Sequence, residues 1–314
     1  MEVLTPRDVP LGGLRAMTVR RTLPQRQRSL IGAWCFLDHY GPDDLDEAEG
    51  MVVPPHPHTG LATVSWLFTG EIEHRDSAGH HAVVRPGEMN LMTAGRGISH
   101  SEYSTPATRV LHGAQLWLAL PDADRQVEPS FEHYVPEPVR GDGWEARVFL
   151  GSLLGSESTV LTHSPLLGAE LVLQAGTTLR VPVDAAYELG VLVDSGSVRV
   201  DGIPRDGLVP RPPQQPPLQA HELGFQEPGA EVLVLAAEED ARLLLLGGPP
   251  FGERIVMWWN FVGRSHDEVV RYRAQWESRL DEGDPTRFEL PDDDPLAPLH
   301  APPLPTTRMV PRGP

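Results

Sequence analysis

The chain contains no lysine, so its 26 non-histidine cations are all arginines, and 44 acidic residues outnumber them to leave a formal net charge of -18. A surface of that sign repels polyanions, which argues against direct contact with nucleic acid or an anionic membrane. The one basic cluster, Arg20, Arg21, Arg26 and Arg28, has a plainer reading as a solvated surface strand. No run approaches the ~20 apolar residues of a membrane-spanning helix. The N-terminus lacks the basic region, apolar core and small-residue cleavage site of a secretory signal, so a cytoplasmic location is expected. Cysteine occurs once, at Cys35, which excludes an internal disulfide. In the apolar run Ala33 to Leu37 it reads as a buried small hydrophobe and not as a nucleophile. A glycine-rich phosphate loop and a Ser-His-Asp arrangement are also missing.

What the chain has in quantity is turn formers. With 33 proline and 30 glycine among 314 residues, uninterrupted helix has little room, and an all-β architecture of two domains is expected. Thr63 to Phe68 alternates so that Val64, Trp66 and Phe68 share one face of a strand. Thr69-Gly70-Glu71 turns it into a return strand Ile72 to Arg75, and Pro86-Gly87-Glu88 marks a second turn before Met89 to Met92. The same shape recurs where Val191-Leu192-Val193 passes through Ser195-Gly196-Ser197 into Val198-Arg199-Val200; the turn glycines Gly70 and Gly196 lie 126 residues apart. This predicts a duplicated barrel joined within Pro121 to Gly143. Pro210 to Pro217 reads as an exposed loop, and two strands flank Glu238-Glu239-Asp240. Ser265 with Glu268 forms a capping box opening a helix to about Leu280, and the tail Asp281 to Pro314 reads as extended or disordered. The expected division is 1–130, a metal-binding barrel; 131–280, a second barrel ending in the helix; and 281–314, a proline-rich acidic tail.

His56-Pro57-His58 places two imidazoles at i and i+2, on one face of an extended segment that Pro54, Pro55 and Pro57 stiffen. His100-Ser101-Glu102 repeats the geometry with one imidazole and one carboxylate, after the tight turn Gly95-Arg96-Gly97. Three nitrogens and one oxygen suit a single divalent transition metal such as iron, manganese, nickel, copper, cobalt or zinc, whereas calcium and magnesium prefer more oxygen. Four protein ligands leave positions open on an octahedral ion, as catalytic sites require. The offset of 126 carries His56 and His58 onto Pro182 and Asp184, and the adjacent pair His221 and Glu222 would point to opposite faces, so no second metal is expected. His80 and His81 read as an exposed loop, with the pocket mouth as the other reading; His39 reads as a polar contact at the barrel edge, and Trp258-Trp259 with Phe261 as an interdomain aromatic core.

Several stretches make the chain resemble the pirin family of the cupin superfamily. They are His56-Pro57-His58-Thr59-Gly60, Glu73-His74-Arg75-Asp76-Ser77 and, above all, Met92 through Gly95-Arg96-Gly97-Ile98-Ser99-His100-Ser101-Glu102. Phe36-Leu37-Asp38-His39, Gln115-Leu116-Trp117 and Leu245-Leu246-Gly247-Gly248 extend the likeness. The resemblance implies two cupin-type antiparallel β-barrels and one iron held by His56, His58, His100 and Glu102. It also implies cleavage of a flavonol such as quercetin at the 2,3-bond, with Glu102 as catalytic proton acceptor as well as ligand, or alternatively a metal- or redox-dependent regulator that binds a protein partner, a metabolic enzyme or a transcription factor. Thr59 and Ala62 depart from the Arg and Glu of many members, which removes a carboxylate expected near the metal.

Overall fold

The computed structural model describes residues 1–11, 17–45, 50–204, 216–283 and 287–313. Among them the architecture is all-β, with a single helix at His266–Glu282. The chain divides into two compact units that do not follow chain order. One, the apolar unit, comprises Met1–Arg7, Arg20–Trp34 and Tyr134–Phe251; the other, the histidine-rich unit, comprises Asp8–Val19, Cys35–His133 and Gly252–Pro314.

In the histidine-rich unit a seven-stranded sheet runs in the order Ser130–Tyr134, Met89–Thr93, Leu61–Thr69, Val110–Ala119, Trp34–Asp44, Met17–Leu23 and Arg7–Leu11. A four-stranded sheet runs Val52–His58, Ile98–Ser104, Ile72–Asp76 and His81–Val84. Tyr40, Leu67 and Leu111 from the first sheet pack with Val53, Ile72 and Val84 from the second, which seals one end of the space between them. The expected turn falls at Gly70, whose φ is +88°, but it carries the chain from one sheet to the other instead of closing a hairpin: Leu61–Thr69 pairs with Met89–Thr93 and Val110–Ala119, and Ile72–Asp76 with Ile98–Ser104 and His81–Val84. A Cβ on Gly70 would lie 2.6 Å from the Val110 carbonyl oxygen, so only glycine fits. The strand Leu61–Thr69 is buried on both faces up to Leu67.

The apolar unit repeats the plan. Its seven strands run Glu2–Leu4, Leu223–Gln226, Glu188–Ser195, Ala241–Gly248, Leu167–Leu173, Trp144–Leu150 and Val139–Gly141, beside a sheet of Thr178–Pro182, Ala230–Ala237 and Val198–Pro204. The duplicated turn is present at Gly196, but it joins two sheets and is not the hairpin that the sequence suggests: Glu188–Ser195 pairs with Leu223–Gln226 and Ala241–Gly248, whereas Val198–Pro204 pairs with Ala230–Ala237. In neither unit does a sheet close on itself, so the barrels are cupin-like pairs of open sheets.

Ser265 caps the helix by accepting the Glu268 N–H at 3.3 Å, as the capping box requires. The Glu268 carboxylate reaches one residue further back, to the Arg264 N–H at 2.6 Å, and Gly283 in the left-handed conformation ends the helix. Val269, Tyr272 and Trp276 form its buried stripe. The helix belongs to the histidine-rich unit and not to the second barrel, held there by the pair Arg125–Glu268 at 2.9 Å. Trp258, Trp259 and Phe261 pack on that stripe within the same unit, where an interdomain core had been expected.

The described tail lacks helix and strand but is anchored. Phe288 is fully buried, the Trp276 indole N–H donates to the Leu299 carbonyl at 2.8 Å, and the Leu299 N–H donates to the Pro55 carbonyl at 2.8 Å. Its many prolines reduce the donors the backbone must satisfy, which lets an irregular segment pack without a ladder. Residues 210–215 of the expected proline-rich loop lie outside the described residues.

Candidate metal centre

Val52–His58 and Ile98–Ser104 are antiparallel neighbours with His56 opposite His100 and His58 opposite Ile98. Both histidine pairings sit on strands, where i and i+2 share a face, and the register brings the rings together. Ring centroids are 4.9 Å apart for His56 and His58, 4.4 Å for His56 and His100, and 4.8 Å for His58 and His100. The Nε2 atoms of His58 and His100 approach to 3.0 Å. His56 Nδ1 lies 2.9 Å from the Pro54 carbonyl oxygen and donates to it, which leaves a lone pair on Nε2. All three rings are buried.

The register shifts between His100 and Glu102, and the carboxylate stands slightly apart. His56, His58 and His100 form one cluster of donor atoms within 4.8 Å of each other, while Glu102 shares a second cluster with His100 and His74. Of the four ligands read from sequence, three therefore meet directly and the fourth joins through His100. Glu102 is buried, and its nearest hydroxyl, Ser65 Oγ, is 3.5 Å from Oε1 but only 2.8 Å from Gln115 Oε1. Ser65 thus donates chiefly to Gln115 and leaves the carboxylate weakly solvated.

These donors fit a transition metal. Two imidazole nitrogens bound at ~2.1 Å and at right angles to one ion would stand about 3.0 Å apart, as the Nε2 atoms of His58 and His100 do. Burial pushes the His56 imidazolium down to about 4, and burial followed by the charge of neighbouring histidines pushes His58 and His100 well below the usual histidine range. At neutral pH all three are uncharged and can donate lone pairs. Burial raises the Glu102 carboxyl to about 7, so without a cation the pocket leans toward neutrality. His58 Nδ1, buried near the Asn260 backbone, makes no hydrogen bond of ordinary geometry, so the polar interior is incompletely compensated on its own.

Aromatic side chains flank the cluster. The Trp117 ring stands edge-on to His58 at 5.2 Å and stacks on Phe36 at 3.9 Å. The outward face of the ligand strand is tied to the tail: Ser99 Oγ donates to the Glu289 carbonyl at 2.5 Å, and Ser101 and Tyr103 donate to the two oxygens of Asp294 at 2.5 and 2.6 Å. Alternation along the strand thus sends His100 and Glu102 to the metal cluster and Ser99, Ser101 and Tyr103 to the strap.

Comparison with known proteins agrees with this geometry. The sequence matches the family described as Pirin over residues 16–118 and the Pirin C-terminal cupin domain over residues 168–280. It is 42% identical over 306 residues, 97% of this chain and 91% of the other, to a Pseudomonas aeruginosa protein provisionally named quercetin 2,3-dioxygenase. The chain belongs to the pirin family. A Caulobacter vibrioides pirin-like protein is 36% identical over 88% of this chain and 91% of its own length. A crystal structure of quercetin 2,3-dioxygenase from Acinetobacter baumannii superposes with a TM-score of 0.86 at 37% identity, covering 98% of this chain and 96% of that one. An Escherichia coli pirin in complex with nickel(II) shares the fold, with a TM-score of 0.60 at 19% identity over 79% of this chain and 99% of that one. Pirin membership and the histidine cluster together assign the chain a single transition metal.

Within this pirin the remaining sequence readings sort clearly. Cys35 is fully buried and burial raises its thiol to about 12, so it is inert. Ala62 lies on the strand face opposite Ser65, so a carboxylate at that position would point away from Glu102. Thr59 is buried with its hydroxyl unpartnered. His39 is buried, its ring 6.2 Å from Phe68 and 5.6 Å from His112. His81 is exposed and pairs with Glu73, whereas His80 is half-buried against Asp76. No metal-binding group lies wholly within the apolar unit among the described residues. No described helix is long and apolar enough to cross a membrane. Sequence patterning assigns no separate role to Ser65, Gln115 or the His74–Asp76 pair; Gln115 and the pair enter only as parts of the family signature, although the pair carries the same i, i+2 signal as the ligands.

Proposed function

We propose that this chain is a flavonol 2,3-dioxygenase of the quercetin type, working with one metal held by His56, His58, His100 and Glu102. Iron is the first choice, and manganese, nickel, cobalt, copper or zinc suit the same donors. The observation that carries this reading is the convergence of three buried, neutral imidazoles and one buried carboxyl. The names of the Pseudomonas and Acinetobacter relatives point the same way.

A divalent metal at this position supplies Lewis-acid and redox chemistry toward dioxygen. Glu102, buried beside the histidine cluster, is placed to accept the proton of a flavonol hydroxyl and later to return it. Ser65 and Gln115, paired at 2.8 Å, form a polar ledge beside it, and Trp117 stacked on Phe36 offers a flat apolar wall to an aromatic ring system. Water exclusion by these buried groups keeps the proton transfer local. Overall, one flavonol and one dioxygen become one ring-opened ester and one carbon monoxide.

The test is to incubate iron-, manganese-, cobalt- and nickel-loaded protein with quercetin in air and follow flavonol absorbance together with oxygen uptake. Turnover above that of free metal supports the enzyme, and Glu102→Gln is expected to lower it by ~100-fold or more while some metal is retained. If no metal form exceeds free metal, a regulator acting on a protein partner takes its place.

A further inference from the structure

Behind His100, on the side away from His58, the structure holds a second chain of polar groups, buried as far as Asp76 and ending at the half-buried His80. His100 Nδ1 lies 3.3 Å from His74 Nδ1, His74 Nε2 lies 3.2 Å from Asp76 Oδ2, and Asp76 Oδ1 lies 3.1 Å from His80 Nδ1. The Asp76 side chain is fully buried and its Oδ1 also accepts the backbone N–H groups of Ala78 at 2.9 Å and His80 at 3.1 Å. Phe131 covers both rings of the chain, 4.9 Å from His74 and 5.3 Å from His80.

With His74 neutral, the carboxylate end sets the direction of the hydrogen bonds from Asp76 to His100. A carboxylate can only accept, so His74 must donate to Asp76 from Nε2. A neutral imidazole has one N–H, so His74 Nδ1 is then an acceptor, and the atom that faces it, His100 Nδ1, must be the donor. His100 is left with its lone pair on Nε2, the atom that meets His58 Nε2 at 3.0 Å. We infer that His74 and Asp76 are positioning residues that lock His100 in its Nδ1–H tautomer and so aim Nε2 at the metal. Resting on the metal reading above, this assigns to the hairpin Ile72–Val84 the task of orienting one ligand and of raising its basicity. His56 is fixed by the Pro54 carbonyl in the same sense, so the hairpin supplies for His100 what the backbone supplies for His56.

The experiment uses the full chain loaded with zinc, which is diamagnetic, and long-range proton–nitrogen correlation of 15N-labelled histidine to read each tautomer. The expected result is His100 protonated at Nδ1 and His74 protonated at Nε2. Zinc uptake with His74 carrying its proton on Nδ1 would overturn the inference and leave the metal reading standing; failure to take up zinc would overturn the metal reading and the inference with it. Variants give an independent readout: Asp76→Asn and His74→Phe are expected to weaken cobalt(II) binding 10- to 100-fold, as is usual for partners behind a ligand, and to shift the cobalt d–d bands. His81→Gln, on the same hairpin and paired only with Glu73, is expected to match wild type in both. Wild-type affinity and an unmoved cobalt spectrum in folded Asp76→Asn would equally sink the inference.

Discussion

The two units of this chain share a plan, a seven-stranded sheet beside a smaller one, and fill it with opposite chemistry. Between the sheets of the apolar unit stand Leu171, Val191, Leu243 and Leu245 with Val181 and Leu235, all buried. The corresponding space of the histidine-rich unit has an apolar end at Tyr40, Leu67 and Ile72, but its other part holds His56, His58, His100, Glu102, Ser65 and Gln115. An apolar filling stabilises through area removed from water, about 25 cal/mol per Å². A polar filling costs free energy unless each group finds a partner. The apolar unit can therefore stand on packing alone, while the histidine-rich unit relies on a cation, a tail and a hydrogen-bonded hairpin to make its interior tolerable. A duplicated fold thus separates scaffold from site: the strands recur, and only the residues turned inward decide which copy does chemistry.

The comparison breaks first at the ligands. His56→Ala and His100→Ala are expected to weaken metal binding by more than about 100-fold, beyond the effect of removing an outer partner, whereas His221→Ala in the apolar unit leaves it unchanged. Elemental analysis of chelator-free preparations checks this. Two metals per chain, or metal retained by His100→Ala, would show that the polar filling is not the only site.

A smaller effect sharpens the comparison through pH. The Glu102 carboxyl is raised from 4.5 to about 7 by burial, so the folded metal-free chain holds a proton that the unfolded chain releases. This contribution is fully present below pH 4.5 and is lost as pH rises through about 7. At its largest it amounts to about 3 kcal/mol. His56, lowered from 6.5 to about 4, acts with the opposite sign, its contribution being present above 6.5 and lost as pH falls through about 4. In urea titrations of chelated protein, the stability advantage of Glu102→Gln over wild type is expected to grow between pH 4.5 and 7.5. A flat difference would mean that the carboxyl is better solvated than its burial indicates.

The least of these effects concerns the strap. Asp294→Ala removes the acceptor of both Ser101 and Tyr103 on the ligand strand, at a cost of about 1.5–3 kcal/mol for a hydrogen-bonded charge. Hydrogen exchange should quicken along Ile98–Ser104 and stay at wild-type rates along Glu188–Ser195 in the apolar unit. Equal quickening in both strands would mean that the tail stabilises the chain globally.

By itself the sequence determined the all-β class, the turns at Gly70 and Gly196 though not which strands pair across them, the helix cap at Ser265 and the inward sharing of His56 with His58 and of His100 with Glu102. Each of these follows from local rules: a positive φ that only glycine tolerates, a side chain that satisfies a helix N–H, and the two-residue period of a strand. What the tertiary structure alone decided lies between segments far apart in sequence. The register that sets His56 opposite His100, the shift that places Glu102 nearer His74, the placing of the helix with the histidine-rich unit and the anchoring of the tail by Phe288 and Asp294 are all of this kind. No local propensity encodes a partner 190 residues away, and a proline-rich acidic tail reads as disordered until the strand that offers it Ser99, Ser101 and Tyr103 is in place. Periodicity fixes which face a side chain takes; only packing and register fix what stands opposite it.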